Sequence, residues 1–186
     1  MNKLLSIIQN RNSHRVLIEP HPSKTEMQDI YKAALRAPDH AWLKPSRFIE
    51  IKGNGLTRLS NIFTEFAVKN LGITDENILD KYKNAPYRAP MIIALVTKHT
   101  DHPKVPYIEQ KLSTAAAGQN ILNAIECLGY SGIWRTGKLA FNKELAEMMG
   151  LDGDSEIIGF LYVGKKSGKE KRLPDRPIDD HLTVWD

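Results

Sequence analysis

Apolar and polar positions follow two different rhythms along this chain. Met27, Ile30, Tyr31 and Ala34 recur at helical spacing behind Ser23 and Glu26, whose separation of three has the form of a capping box. The helix they predict ends near Ala37, because Pro38 disfavours the α region for the residue before it. Residues 91–96 (MIIALV) are instead apolar without a break and bounded by Pro90 and polar residues. A central strand buried on both faces looks like this.

The other elements are read the same way. Residues 3–9 predict a short apolar helix, stopped by the polar run from Gln9 to Ser13. Residues 46–51 read as a strand closed by Gly53-Asn54-Gly55, with helices following at about 56–70 and 75–83. Pro106 suits the first turn of a long helix that runs to about Leu128 and is stopped by Gly129. Its small residues Ala115-Ala116-Ala117-Gly118 would let another helix approach closely. Strands at about 132–136 and 156–163 flank a helix near 142–149.

Helices and strands do not alternate regularly enough for a doubly wound sheet, so the expected class is α+β, with helices gathered on a sheet of about four or five strands. The 186 residues, 41% of them hydrophobic, suffice for one well-buried core, so residues 1–186 are expected to form a single domain. From about residue 165 the chain turns basic, then proline-rich, and finishes with Leu182-Thr183-Val184-Trp185. Apolar residues at a loose terminus need a surface to cover, and a partner subunit is the candidate.

Composition narrows the function classes. Lys and Arg outnumber Asp and Glu 26 to 22, for a net charge of +4, which favours anionic ligands in general. The basic residues are spread along the chain rather than striped with aromatics, which leaves a nucleic-acid-binding module as the weaker alternative. A lone cysteine, Cys127, excludes an internal disulfide framework and a four-cysteine zinc site, fits a reducing compartment, and reads as core. The N-terminal apolar run is too short for a signal peptide, and no stretch has the length to span a bilayer. A cytoplasmic location without membrane association is the expectation. No phosphate-loop formula, Gly-x-Gly-x-x-Gly or Gly-x-Ser-x-Gly elbow occurs. His99 and His102 with Asp101 between them read as a solvated loop, and no metal site is expected.

Two segments carry candidate chemistry. In an extended Arg11-Asn12-Ser13-His14-Arg15, the alternating Arg11, Ser13 and Arg15 would present two guanidinium groups and a hydroxyl to one side, a set suited to phosphate. A solvated basic turn is the competing reading. The second, Arg36-Ala37-Pro38-Asp39-His40-Ala41-Trp42-Leu43-Lys44-Pro45, holds Arg, His and Lys close together between two prolines at a helix-to-strand connection. It reads equally well as a fixed structural turn.

Together these segments resemble the nitroreductase family, FMN-dependent enzymes with Arg-x-Ser-x-Arg near the N-terminus, then Ala-Pro, then a proline entering a strand. The YdjA-type subgroup is the closer match, through Arg36-Ala37-Pro38-Asp39-His40. Further agreement lies in Asn84-Ala85-Pro86-Tyr87-Arg88-Ala89-Pro90, in Lys104-Val105-Pro106 with Glu109-Gln110, in Gly132-Ile133-Trp134-Arg135-Thr136-Gly137, and in residues 158–164.

The resemblance implies a mostly antiparallel central sheet surrounded by helices, an intertwined homodimer, and FMN bound in a groove between the chains. By it, Arg11, Asn12 and Ser13 hold the phosphate and ribityl end, while Arg36 and His40 reach in from the other chain. Trp134, Arg135 and Thr136 run alongside the isoalloxazine ring. The implied activity passes hydride from the co-substrate NAD(P)H through FMN to a small-molecule acceptor such as a nitroaromatic or quinone, in a ping-pong sequence. No side chain is named as catalytic. Arg36 or Lys44 is the candidate cation for the reduced flavin. Dehalogenation or flavin breakdown on the same fold is the alternative.

Overall fold

The computed structural model describes residues 2–169 and 172–185; Lys171, which the sequence offers together with Arg172 as a phosphate contact but which reads more readily as part of a solvated basic turn, lies outside the described residues. Strand β3 (Met91–Lys98) forms the middle of the molecule, with residues 91–97 buried. Its side chains alternate between two cores. Met91, Ile93 and Leu95 enter one, and Ile92, Ala94 and Val96 the other. An unbroken apolar run is therefore the pattern that a strand between two helical layers requires.

Five strands make the sheet. Strand β5 (Ser155–Lys166) pairs antiparallel with β3, and β2 (Ser46–Lys52) lies on the other side of β3. Strand β4 (Ser131–Arg135) also pairs antiparallel with β5, over Phe160–Gly164, and the two-residue β1 (Leu17–Ile18) pairs antiparallel with its last two residues, Lys165 and Lys166. The β3–β5 register shifts between Leu95 and Val96, opposite Gly159 and Ile157. One extra residue on β5 reverses its facing: Ile157, Phe160 and Tyr162 share one core, Ile158, Leu161 and Val163 the other.

Helices α2 (Lys24–Ala34) and α5 (Tyr107–Cys127) cover one face. The other is covered by α3 (Asn54–Lys69) and α6 (Lys143–Met148), with α4 (Glu76–Lys83) packed on α3. The remaining helix, α1 (Lys3–Asn10), has no buried residue and rests against α5. Mixed α and β with an antiparallel five-stranded sheet matches the expected class.

Local chemistry explains most boundaries. The Ser23–Glu26 capping box opens α2 with both reciprocal hydrogen bonds in place. That helix stops at Ala34, short of Ala37. Its last turn tightens as Arg36 and Ala37 donate to Ala33 and Ala34, a three-residue step imposed ahead of Pro38. Gly129, with φ +74, closes α5.

Two expectations are corrected and one is extended. Cys127 is exposed, because two residues past the buried Ile125 the helix has turned about 200° away from the core. The small residues of α5 admit a strand as well as a helix: a Cβ on Gly118 would sit 2.5 Å from Cδ1 of Leu95 and 2.7 Å from the Trp134 ring, while α2 packs on the same helix and the Asn120 side-chain amide donates to the Ala33 carbonyl at 3.2 Å. His99 is not solvated. Its side chain is 11% exposed, with Nε2 3.2 Å from Glu156 and the ring against Tyr107.

Candidate functional site

The first candidate segment is anchored by β4. Arg11 leaves the end of α1, and Ser13 forms a parallel bridge to Gly132 while the His14 N–H donates to the Gly132 carbonyl at 3.3 Å. Asn12 turns inward, its Oδ1 accepting from the Ser13 N–H at 2.8 Å. Arg11 is half-buried, and its Nη1 is shielded from solvent with no hydrogen-bond partner. Beside it, burial pushes the Glu126 carboxyl up against the opposing pull of Ser131, Arg11 and Lys166. A buried guanidinium donor without a partner is costly unless an acceptor arrives.

The same segment carries Arg15 to a groove of about 940 Å³ at the free edge of β4. Trp134, Arg135, Thr136 and Gly137 form its floor with Tyr162 of β5, and Lys81 and Arg88 rise from α4 and the turn after it. Lys138 completes the cationic lining, and no Asp or Glu contributes to it.

Arg135 is the half-buried member of the set. Its guanidinium lies 5.2 Å from the centre of the Tyr162 ring, and its Nε is buried without a partner. Desolvation lowers its pKa from the ordinary arginine value, the nearby Arg88 and Arg15 charges lower it further, and Tyr162 opposes them. It stays protonated at a free-energy cost. Burial pushes the Tyr162 phenol up to about 12, so that ring offers no counter-charge.

Trp134 has a second role. Its indole is seated on the α5 side, with Gly118 and Gly159 leaving the space it occupies. The backbone of β4 is thereby fixed between helix and sheet, and with it the two residues that follow.

The second candidate segment lies elsewhere in the protomer. Arg36, Asp39, Trp42, Lys44 and Arg47 line a separate cavity of about 600 Å³. Ala41, Trp42 and Lys44 all have φ between +51 and +57, costly for residues with a Cβ. The Asp39 carboxylate holds this backbone by accepting from the N–H groups of Leu43 (3.1 Å) and Lys44 (2.8 Å). Trp42 is thereby held out to solvent, 82% exposed. His40 pairs through Nδ1 with Glu109 at 2.6 Å.

The structure therefore brings Arg11, Asn12, Ser13, Trp134, Arg135 and Thr136 to one edge of the sheet, and keeps Arg36 and His40 apart from them within one protomer. Arg36 and Lys44, the expected cations for the ring, do not line the groove; Arg15, Lys81, Arg88 and Lys138 do. Sequence reasoning singled out Arg88 only as part of a motif. Lys81 and Lys138 carried no signal, since lysines on solvated turns and helix faces are ordinary. No cluster of three or more His, Cys, Asp or Glu suited to a metal ion occurs among the described residues, nor is any helix there long and apolar enough to cross a membrane.

The nitroreductase family profile matches residues 8–165. The Escherichia coli K12 protein named "Putative NAD(P)H nitroreductase YdjA" is 36% identical over 92% of this chain and 94% of its own length. A Haemophilus influenzae protein named "Putative NAD(P)H nitroreductase" is 31% identical over 92% of this chain and 94% of its own. Among solved structures, a nitroreductase-like family protein from Bacillus cereus superposes with a TM-score of 0.83 at 21% identity, over 100% of this chain and 97% of that one. A nitroreductase with bound FMN from Bacteroides fragilis superposes with a TM-score of 0.77 at 16% identity, over the whole of both chains.

Proposed function

The chain belongs to the nitroreductase family, and from that premise we propose that it is an FMN-dependent NAD(P)H oxidoreductase whose cofactor lies along the edge of β4. The observation that carries this reading is the pair of buried guanidinium nitrogens without partners, Arg11 Nη1 and Arg135 Nε, at the two ends of a cationic edge. A phosphorylated aromatic cofactor answers both: a phosphate dianion takes charge-assisted hydrogen bonds at one end, and a flat ring fills a groove beside aromatic and aliphatic walls at the other.

On this reading Arg11, Asn12 and Ser13 hold the phosphate and ribityl end, and Trp134, Arg135 and Thr136 run beside the ring. When bound, FMN would supply the redox chemistry, relaying hydride from NAD(P)H to a nitroaromatic, quinone or related acceptor in a ping-pong sequence. The residues of this chain orient both partners and exclude water. Arg15 would place positive charge beside the ring, where negative charge on a reduced flavin would need it. No side chain is required as a nucleophile.

Arg36 and His40 complete the site from a second copy of the chain. Their separation from the groove within one protomer supports that arrangement, as do the exposed Leu4, Leu5 and Ile8 of α1 and Ile108 and Leu112 of α5. Lys165 and Lys166 belong to β5, so the tail begins after them; its residues 172–185 pack on the partner, which would cover Trp185, 94% exposed in the single chain.

The test is direct. Purified protein should be yellow, release FMN and not FAD on heating, and bleach with NAD(P)H. A colourless protein that takes up no added FMN would refute the reading. Turnover of nitroaromatic, quinone and iodotyrosine substrates then separates nitro reduction from dehalogenation.

A further inference from the structure

The groove at β4 carries more positive charge than one flavin ring uses. Arg15, Lys81, Arg88, Arg135 and Lys138 line it, no acidic residue does, and none of the five enters an ion pair among the described residues. Three of them oppose one another, since the Arg88 and Arg15 charges both act on the half-buried Arg135. Tyr162 faces Arg135 only with its ring and stays neutral, so no counter-ion comes from the described residues. On the reading above, the cofactor's phosphate lies with Arg11 and Ser13, and its reduced ring occupies a single cation. The rest of the set faces whatever enters beside the ring. Like charges gathered in a concave site are destabilising by themselves, and they concentrate anions there.

We propose that the molecule exchanging hydride in this groove bears an oxyanion that binds Arg88 and Arg135. This rests on the flavoenzyme reading and adds a substrate class to it. Two sources present that chemistry: a carboxylate on an aromatic acceptor, or the 2′-phosphate of NADPH. Planar oxyanion recognition suits two guanidinium groups better than two ammonium groups.

The holoenzyme tests it in two arms. One compares kcat/KM for 4-nitrobenzoate and 4-nitrobenzyl alcohol at fixed NADH. The other compares NADPH with NADH at a fixed quinone. Both are run at low and high salt, in the wild type, in Arg88→Gln and in Arg135→Gln. Calorimetric titration of the FMN-loaded protein with benzoate and with benzyl alcohol adds a readout that does not depend on turnover.

The expected result is a preference of roughly tenfold for the anionic member in at least one arm, weakened by salt and falling towards one in both variants. The arm that shows it identifies the source. Should Arg135→Gln fail to fold, the exposed Arg88 still decides. A yellow enzyme with parity in both arms, or a preference that survives both substitutions, overturns this proposal alone. Protein that takes up no FMN overturns the flavoenzyme reading and the proposal with it.

Discussion

Gly159 of β5 makes room for the indole of Trp134: a Cβ there would collide with the Nε1 edge of the ring. Gly118 of α5 closes the other side, its Cβ position 2.7 Å from the same ring. The consequence reaches the groove, because Trp134 precedes Arg135 and Thr136 and fixes the strand that presents them.

Gly159→Ala and Gly118→Ala should each destabilise the fold by overpacking, about 1–3 kcal/mol. For a chain of this length that lowers Tm by roughly 2–4 °C per kcal/mol. Gly159→Ala combined with Trp134→Leu should cost less than the sum of the two single changes, because the second removes what the first collides with. Thermal denaturation of the four proteins measures this, and strict additivity would refute the seating described.

Much of this architecture is legible in the chain. The apolar run of β3 and the Ser23–Glu26 box announce themselves because each rests on local pattern. Strand β1 escapes because two residues, only one of them buried, show no period. Cys127 misleads because hydrophobicity alone does not say which way a helix has turned by its last residues. At the site, Arg11 to Arg15 stand out through their alternation, whereas Lys81 and Arg88 matter only because α4 folds back beside β4. A lysine on an amphipathic helix has the same sequence signature whether it faces solvent or a groove.

Arg11→Ala should abolish retention of FMN, read as loss of absorbance near 450 nm after gel filtration. A ligand that binds only the folded state stabilises it by about 2.7 kcal/mol at a hundred times its Kd. Wild-type Tm should therefore rise on adding FMN, while the variant should show little rise. A full FMN-induced shift in Arg11→Ala would remove Arg11 from the phosphate end.

If each site draws on both chains, Arg11→Ala and His40→Ala should complement one another. Either homodimer should lose flavin. In a mixed dimer one site combines both defects, whereas the other combines the intact Arg11 of one chain with the intact His40 of its partner. Differentially tagged chains, co-expressed and purified through both tags, should carry about half the wild-type FMN. Mixed dimers without flavin would place Arg11 and His40 of one chain in the same site, and a His40→Ala homodimer that keeps its flavin would place His40 outside it.

Two carboxyls give opposite dependences of stability on pH. For Glu156, burial pushes the pKa up, but the hydrogen bonds from Lys111 (2.7 Å) and His99 (3.2 Å), reinforced by Lys111's charge, hold it below the ordinary value of 4.5. A depressed folded-state pKa stabilises above the unfolded value, and that contribution is lost as pH falls through the folded one. Glu126 is the reverse, because burial outweighs Ser131, Arg11 and Lys166 and its pKa is raised. Its contribution is complete below pH 4.5 and is lost as pH rises through the folded-state value. Urea unfolding of the cofactor-free protein from pH 4 to 7 should therefore give a less negative stability slope above pH 4.5 in Glu126→Gln than in wild type. Glu156→Gln should be destabilised most at neutral pH and differ least from wild type in acid. Identical slopes in wild type and Glu126→Gln would mean that the buried carboxyl beside Arg11 is fully compensated, and that Arg11 has a partner already.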